Sequence, residues 1–221
     1  GNPVVDPRTI SSGPNEGLMA LITRMTVRVT ARRVAGAEVR MSRDIEVALI
    51  PVFQFGIFSE TDLSYFPGPP FDFAGRVHTN GNLFLAASTN GGLLFKSRIT
   101  AVKDVVRKLT ANGRCADMSG CSPLGQDDRR GPVKIPTTDG GCNGISPTLN
   151  SDPAGCRRIQ FPEGSVVLGP GSAPTANWTT ISLTTYNGNI RNGQTGAKAL
   201  TLPFVQPGLQ AIEIVRRPPV G

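Results

Sequence analysis

Apolar and polar residues alternate most regularly between positions 18 and 58. The apolar positions are Met25, Val27, Val29 and Ala31 in a first run, and Val39, Met41, Ile45, Val47 and Leu49 in a second. A period of two places successive side chains on opposite faces of a β-strand. The pattern therefore predicts two half-buried strands that pair as an N-terminal antiparallel hairpin.

The same alternation restricts how the two strands are joined. A three-residue loop, Ala35-Gly36-Ala37, places Val27 opposite Ile45 and Arg28 opposite Asp44. A two-residue turn would set apolar residues opposite polar ones, because a shift of one residue moves every side chain to the other face. We therefore expect the three-residue loop and this register.

The polar face of the predicted hairpin is rich in arginine. Its arginines are Arg24, Arg28, Arg32 and Arg40. Such a stripe is able to bind an acidic partner, and it also forms a solvated face that protects a sheet edge from aggregation. We take these four residues as the candidate partner-binding residues of the chain.

From residue 73 onward the apolar runs are short and are separated by sharp turns. Asn-Gly pairs begin at positions 80, 90, 112, 143, 187 and 192, and such pairs take positive φ at low cost. The turns fit either type I′ hairpins, as in a β-sandwich, or the corners of a β-solenoid whose strands stack in parallel. Runs of four to six residues favour a short, irregular solenoid, and a sandwich is the alternative.

Two segments of this region carry more specific expectations. The run AVKDVVRKL, residues 101–109, places its valines on one side and predicts either a helix or a continued strand. The run WTTISLTTYNG, residues 178–188, predicts a strand. Helix content should be low.

Four cysteines fall within one polar, glycine-rich segment. They are Cys115, Cys121, Cys142 and Cys156. Their spacing does not resemble that of a zinc site, and an even number in such a segment predicts two disulfides. We favour the sequential pairing, Cys115 with Cys121 and Cys142 with Cys156, because it closes the shortest loops. Disulfides indicate an oxidising compartment, so we expect an extracellular or cell-envelope location.

Size and charge complete the outline. The chain has 221 residues with 26 glycines and 19 prolines, and we predict a single β-rich domain over 1–221 with a long cysteine-containing loop insertion at 111–158. The net charge of +7 is spread along the chain without a basic motif interleaved with aromatic residues, which speaks against specific nucleic-acid binding. We expect the chain to be a processed part of a longer exported polypeptide, with no membrane span within it.

Catalytic and metal-binding patterns are weak. His78, the only histidine, directly precedes an Asn-Gly corner, and no GxSxG or nucleophilic-cysteine signature accompanies it, so we expect it to hydrogen-bond a turn. Carboxylates cluster in the cysteine segment at Asp117, Asp127, Asp128, Asp139 and Asp152. They lack the spacing of a calcium loop. We predict no catalytic residues, no cofactor and no metal.

Three stretches resemble a known group of proteins. They are RDIEVALIPVFQFGIFSETDLSYFPGPPFDFAGRVHTNGNLFLAA, LTTYNGNIRNGQTGAKALTLPF and AIEIVRRPP. They are similar to uncharacterised exported bacterial proteins of the type IV pilus-assembly, PilX N-terminal type, in which a hydrophobic prepilin-like helix precedes a β-rich region. That helix is absent from these 221 residues, and the resemblance covers about residues 18–100 and 180–219. It implies an extracellular or cell-envelope β-rich protein and supplies no catalytic residues.

These observations lead to a functional expectation. We expect a non-enzymatic structural or adhesive surface protein, either pilus-associated or a filament-forming subunit, whose partners are pilus subunits or further copies of itself. One alternative is a carbohydrate-active enzyme on a β-helix that uses Asp127 and Asp128. Another is a basic module that binds an anionic polymer.

Overall fold

A computed structural model describes residues 5–11, 17–34, 36–51, 54–116, 131–139, 141–142, 152 and 154–201. Strands dominate this part of the chain, which confirms the all-β prediction and the low helix content. The chain divides into two compact units. The first comprises residues 1–54 with 200–221, and the second comprises residues 55–199. No helix in the described ranges is long and apolar enough to cross a membrane.

The first unit is built on a three-stranded antiparallel sheet in the order β1-β2-β3. Its strands are β1 (Val5–Thr9), β2 (Met19–Arg32) and β3 (Glu38–Leu49). β2 and β3 pair over twelve residues each and form the predicted hairpin. The period-two pattern therefore identified both strands, whereas Ala37, which was predicted to lie in the loop, is bonded to Arg33 across the ladder.

The register of the hairpin differs from the predicted one by two residues. Met25 lies opposite Ile45 and Val27 opposite Arg43, and the ladder closes where the N–H of Arg33 donates to the carbonyl of Ala37. A shift of two keeps every side chain on its expected face. The observed register also sets Thr26 opposite Asp44, and the two side chains form a hydrogen bond of 2.7 Å. Cross-strand polar pairs therefore distinguish two registers between which the apolar pattern cannot choose.

The second unit contains three further sheets. Sheet B has the order β14-β10-β7-β4, sheet C the order β11-β8-β5, and sheet D the order β13-β12-β9-β6. The strands are β4 (Ile57–Ser59), β5 (Leu63–Tyr65), β6 (Pro70–Phe73), β7 (Val77–Thr79), β8 (Leu83–Leu85), β9 (Gly92–Phe95), β10 (Ile99–Ala101), β11 (Val105–Val106), β12 (Val133–Pro136), β13 (Cys156–Arg158) and β14 (Ile190–Arg191).

Strands of the second unit pair in parallel with strands from the next turn of the chain. Ile57 pairs with Val77, twenty residues later, and Val77 pairs with Ile99, twenty-two residues later. Leu63 and Leu83 pair in the same way in sheet C. β13 is the exception, because it runs antiparallel to β12. From β4 to β12, consecutive strands thus belong to different sheets, and the Asn-Gly pair between β7 and β8 is a corner rather than a hairpin turn.

Side chains from all three sheets meet in one core. Buried members of this cluster are Tyr65, Val77, Leu83, Leu85, Ala87, Leu93, Phe95, Ile99, Ala101, Val105, Val133, Ile135, Ile159, Trp178, Ile181, Tyr186 and Ile190. A smaller cluster lies on the outer face of sheet C, where Val166 packs on Phe84 and Val106. The outer face of this sheet is therefore also apolar, which explains why β11 has two consecutive buried valines.

Three segments differ from their predictions. Residues 101–109 contain the short strand β11 and no helix, so the strand alternative is correct. The predicted loop insertion 111–158 includes two strands, β12 and β13, and β12 is fully buried against β9. The predicted strand at 178–188 is helical: an α-helical turn, Trp178–Thr180, continues as a π-helical segment, Ile181–Thr185.

The helical turn at Trp178–Thr180 is explained by contacts in the tertiary structure. Threonine and isoleucine favour strands, which is why the sequence predicted one. In the structure Trp178 and Ile181, three residues apart, both enter the core, and this spacing matches one face of a helix. The indole N–H of Trp178 donates to Asn192 Oδ1 over 2.7 Å, so the buried polar edge of the ring is satisfied.

Candidate interaction surface

The hairpin of β2 and β3 exposes both of its faces. Every residue from Arg24 to Arg32, and every residue of β3, is solvent-exposed. Only the first part of β2 is covered, where Ala20 and Ile22 are buried. The prediction of half-buried strands is therefore wrong for most of the hairpin. An alternating pattern normally reports a face that packs on a core, and here that face is uncovered in the described chain.

The apolar face of the hairpin is large. It consists of Leu21, Met25, Val27, Val29, Val39, Met41, Ile45, Val47 and Leu49. Met41 is 71% exposed and Val39 is 61% exposed. Single exposed apolar residues are ordinary on protein surfaces, whereas a contiguous apolar patch marks an interaction site. Arg43, opposite Val27, is the one charged residue that interrupts this face.

The polar face carries the predicted arginine stripe. Arg24, Arg28 and Arg32 lie along β2, and Arg40 lies opposite Thr30, so the hairpin brings all four onto one side. A shallow depression lies beside them, between residues 28–30 and 40–42. The structure thus places the four residues together, and their role in partner binding remains a prediction.

Two of the four arginines are neutralised by neighbours. Arg24 Nε donates to Glu46 Oε1 over 2.8 Å, and Arg40 pairs with Glu38. The Arg24 hydrogen bond lowers the pKa of Glu46, with a further contribution from Arg8. Because these pairs are exposed, each contributes little to stability. Arg28 and Arg32 form no ion pair among the described residues.

The outer edge of β3 is the second feature of this surface. β3 is the last strand in the order β1-β2-β3, and no described strand pairs with its outer edge. An edge strand presents a row of backbone N–H and C=O groups that can pair with another chain. The hairpin therefore combines an unpaired edge with an exposed apolar face.

His78 is held at a corner of the second unit. It is 2% exposed, and its Nδ1 and Nε2 atoms lie 2.7 Å from Thr100 Oγ1 and 3.0 Å from Asn80 Oδ1. Its ring also stacks on Phe58, with centroids 5.5 Å apart. Burial lowers the pKa of His78, the Asn80 hydrogen bond raises it, and the charge of Arg76 lowers it. The predicted contact between this imidazole and a turn residue is present.

Two of the four cysteines form a described disulfide. Cys142 and Cys156 are bonded, with Cα atoms 5.1 Å apart, as the sequential pairing predicted. Both are buried and pack on Leu94 of sheet D. Cys115 is also disulfide-bonded, whereas Cys121 lies outside the described residues.

The candidate carboxylates do not form a described site. Asp117, Asp127 and Asp128 lie outside the described residues. Asp139 accepts a hydrogen bond of 3.1 Å from Asn187 Nδ2, and Asp152 is exposed. Within the described ranges, no group of three or more histidine, cysteine or acidic side chains is arranged to hold a metal ion.

Two arginines with structural contacts, one buried and one half-buried, were not identified from the sequence. Arg107 is 2% exposed and donates to the carbonyls of Leu85, Gly131 and Ile159 over 3.0–3.2 Å, so it joins three turns of the chain. Its only sequence signal is a cation directly after the apolar pair Val105–Val106.

The second of these arginines is Arg157. It pairs with both carboxylate oxygens of Glu163 and donates to the buried hydroxyl of Tyr186 over 2.7 Å. Burial is the main cause that raises the pKa of Tyr186, so this hydroxyl stays protonated. The three side chains fasten the segment after β13 to the core.

The chain was compared with protein families, curated proteins and solved structures. No protein-family model matches it, and no curated protein or solved structure matches it significantly.

Proposed function

We propose that this protein acts by contact, as a structural or adhesive subunit that is pilus-associated or filament-forming at the cell surface or outside the cell. The observation that carries this proposal is the exposed apolar face of the β2–β3 hairpin. An uncovered apolar face of this size is costly in water, at about 25 cal/mol per Å², and it is stabilised when another surface covers it.

A second copy of the chain is the partner that fits this surface best. The apolar face lies on a two-stranded ribbon, and two such ribbons packed face to face would remove both apolar faces from water at once. The free edge of β3 offers a second contact, because a strand of another copy can extend the sheet there. Face packing combined with edge pairing allows a chain of subunits to grow.

The second unit supports the same proposal. We infer that residues 55–199 form a short, irregular β-solenoid, since strands of all three sheets pair in parallel at offsets of twenty or twenty-two residues between β4 and β11. Longer offsets, such as that between Leu93 and Val133, make the stacking irregular. A solenoid is a rigid scaffold whose length and surface come from repetition. The only histidine makes structural contacts through both ring nitrogens, which favours a scaffold over an enzyme.

The described disulfide and the resemblance to exported pilus-assembly proteins support an extracellular or cell-envelope location. Cys142 and Cys156 are bonded and buried, and such bonds persist in oxidising compartments. The arginine stripe would then face acidic groups of the neighbouring subunit or of the surface.

Light scattering coupled to size-exclusion chromatography tests the assembly proposal. The wild-type protein should form dimers or larger oligomers as its concentration rises. The double variant Val29→Lys/Met41→Lys should remain monomeric, because these two residues face each other across the apolar face and each would bring a charge into the contact. A loss of at least tenfold in the association constant is the expected size of the effect.

The matched control places the same two charges on the other face. Thr30→Lys/Ser42→Lys changes one neighbouring position on each strand and adds the same net charge. This variant should associate as the wild type does. A wild-type protein that stays monomeric at every concentration, or two variants that lose association equally, would contradict the proposal.

A further inference from the structure

Three half-buried arginines lie at one corner of the second unit. Arg76 directly precedes β7 and Arg98 directly precedes β10, so the pairing of Val77 with Ile99 stacks the two arginines in neighbouring turns of the chain. The N–H of Val77 donates to the carbonyl of Arg98 over 3.0 Å, which holds the two backbones about 4.8 Å apart. Arg191 belongs to β14, the next strand of the same sheet.

Arg98 lies close enough to Arg76 and to Arg191 for its charge to oppose the charge of each. Burial lowers the pKa of Arg76, and the charge of Arg98 lowers it further. The pKa of Arg191 is lowered by the same two causes in the same order. Arginine side chains carry a positive charge in proteins at neutral pH. The corner therefore concentrates positive charge in a partly desolvated place.

Little in the described chain compensates this charge. Neither Arg76 nor Arg98 forms an ion pair with a described residue, and the Arg76 guanidinium instead lies over the ring of Phe55, 5.1 Å from its centroid. The Nε atom of Arg98 is buried and has no hydrogen-bond partner among the described residues. Asp139 raises the pKa of Arg191, and this effect is smaller than those of burial and Arg98.

The backbone is shaped to hold Arg191 across the corner. Arg191 Nε donates to the carbonyl of Gly188 over 2.9 Å. Gly188 has φ of +66°, and a Cβ atom there would overlap the Arg191 guanidinium. The positive φ favours glycine at this position, and the Arg191 side chain would have to move to make room for a Cβ atom.

We propose that Arg76, Arg98 and Arg191 form an oxyanion-binding site that takes a sulfate or phosphate group. Guanidinium groups bind such oxyanions through paired N–H donors, and a doubly charged anion would offset the repulsion among all three arginines. It would also give the buried Nε of Arg98 the acceptor that the described chain lacks. The site is separate from the hairpin and does not depend on its role in assembly.

Thermal shift and titration calorimetry test this site with inorganic sulfate and inorganic phosphate at constant ionic strength set by sodium chloride. Millimolar sulfate or phosphate should raise the wild-type Tm more than chloride does, because a ligand that binds only the folded state stabilises it. Arg98→Gln should weaken binding of both ions at least tenfold. The same variant should have a higher Tm than the wild type in the absence of these ions, since it removes the repulsion.

Arg33→Gln is the matched control, because it removes one positive charge from an exposed position of the first unit. It should bind both ions as the wild type does and should gain no stability. Arg76→Gln repeats the test at a second position in case Arg98→Gln fails to fold. Ion binding that is absent in the wild type, or unchanged in both arginine variants, would overturn the proposal.

A sulfated disaccharide distinguishes the source of the anion. Tighter Arg98-dependent binding of the disaccharide than of inorganic sulfate supports a group carried on an acidic polysaccharide. Equal Arg98-dependent affinity supports the free ion. The hairpin variant Val29→Lys/Met41→Lys should bind either ligand normally, so a failure of the assembly proposal and a failure of this one give different results.

Discussion

Individual polar residues hold the second unit together from inside. Arg107 donates to three backbone carbonyls and also lies over the Phe161 ring, 4.2 Å from its centroid. Hydrogen bonds from a charged donor contribute about 1.5–3 kcal/mol each, which is how a buried cation becomes tolerable. His78 has a comparable position, with both ring nitrogens and one ring face in contact with the protein.

The environment of His78 predicts that stability depends on pH. Because its pKa is lowered in the folded state, the unfolded chain takes up the proton first as pH falls below about 6.5. Stability should therefore be greatest above pH 6.5 and should fall between that pH and the folded pKa. Each pH unit that separates the two pKa values is worth about 1.4 kcal/mol.

Chemical denaturation at pH 7.0 and at pH 5.5 measures this dependence, with His78→Asn as the comparison. His78 is the only histidine of the chain, so no other side chain with an ordinary pKa titrates in this window. The stability of the His78→Asn variant should be the same at the two pH values. A wild-type protein that gains stability on acidification would show that the charged ring is the favoured form.

At the scale of the elements, the corners between strands decide how the turns of the second unit stack. Asn82 donates from its amide nitrogen to Asp62 Oδ1 over 3.0 Å, and its own amide oxygen accepts from the N–H of Asp104 over 3.1 Å. Residues 62, 82 and 104 thus form a polar ladder that joins three turns. Gly81 beside it serves close approach rather than positive φ, because a Cβ atom there would overlap the backbone of Asp62.

Gly81→Ala should destabilise the protein by about 2–3 kcal/mol, since the contact is with backbone and cannot relax by a side-chain rotation. Gly68→Ala is the matched control: it lies in the same unit, its φ is negative, and a Cβ atom there meets nothing within 4 Å. Denaturant unfolding of both variants gives the comparison. Equal stabilities would mean that the corner widens freely and that glycine is not required there.

At the scale of the whole molecule, the disulfide between Cys142 and Cys156 constrains a chain with few helices and many short strands. It spans fourteen residues and joins the segment before β13 to β13 itself, on the outer face of sheet D. Cys142→Ala/Cys156→Ala should lower the free energy of unfolding by about 2–4 kcal/mol. Denaturation under non-reducing conditions measures this loss.

Reductant provides the control for the disulfide variant. The wild type should lose at least as much stability with reductant as the double variant has lost, because the bond of Cys115 is also broken. The double variant should lose only the contribution of Cys115 when reductant is added. A double variant as stable as the oxidised wild type would show that the bond contributes nothing to the fold.

Prediction from the sequence succeeded where the signal is local. The hairpin strands, the strands at 77–79 and 83–85, and the Cys142–Cys156 bond follow from alternation, from flanking turns and from spacing. The strand at 133–136 was missed because four residues carry no measurable period. The helical turn at Trp178 was missed because its cause is a core contact with distant residues. Arg76 and Arg98 were not singled out, since twenty-two residues separate two side chains that the fold stacks.

The sequence by itself determined the two hairpin strands and their apolar face, the short strands at 77–79 and 83–85, and the pairing of Cys142 with Cys156, because these features depend on neighbours a few positions apart. Only the tertiary structure decided the register of the hairpin, the parallel stacking at intervals of twenty and twenty-two residues, and the exposure of the apolar face. A period-two pattern shows that one face of a strand is apolar, but it does not show what packs on that face. Contacts between segments that are distant along the chain decide whether the apolar face is covered, which register the hairpin has and which three arginines lie at one corner.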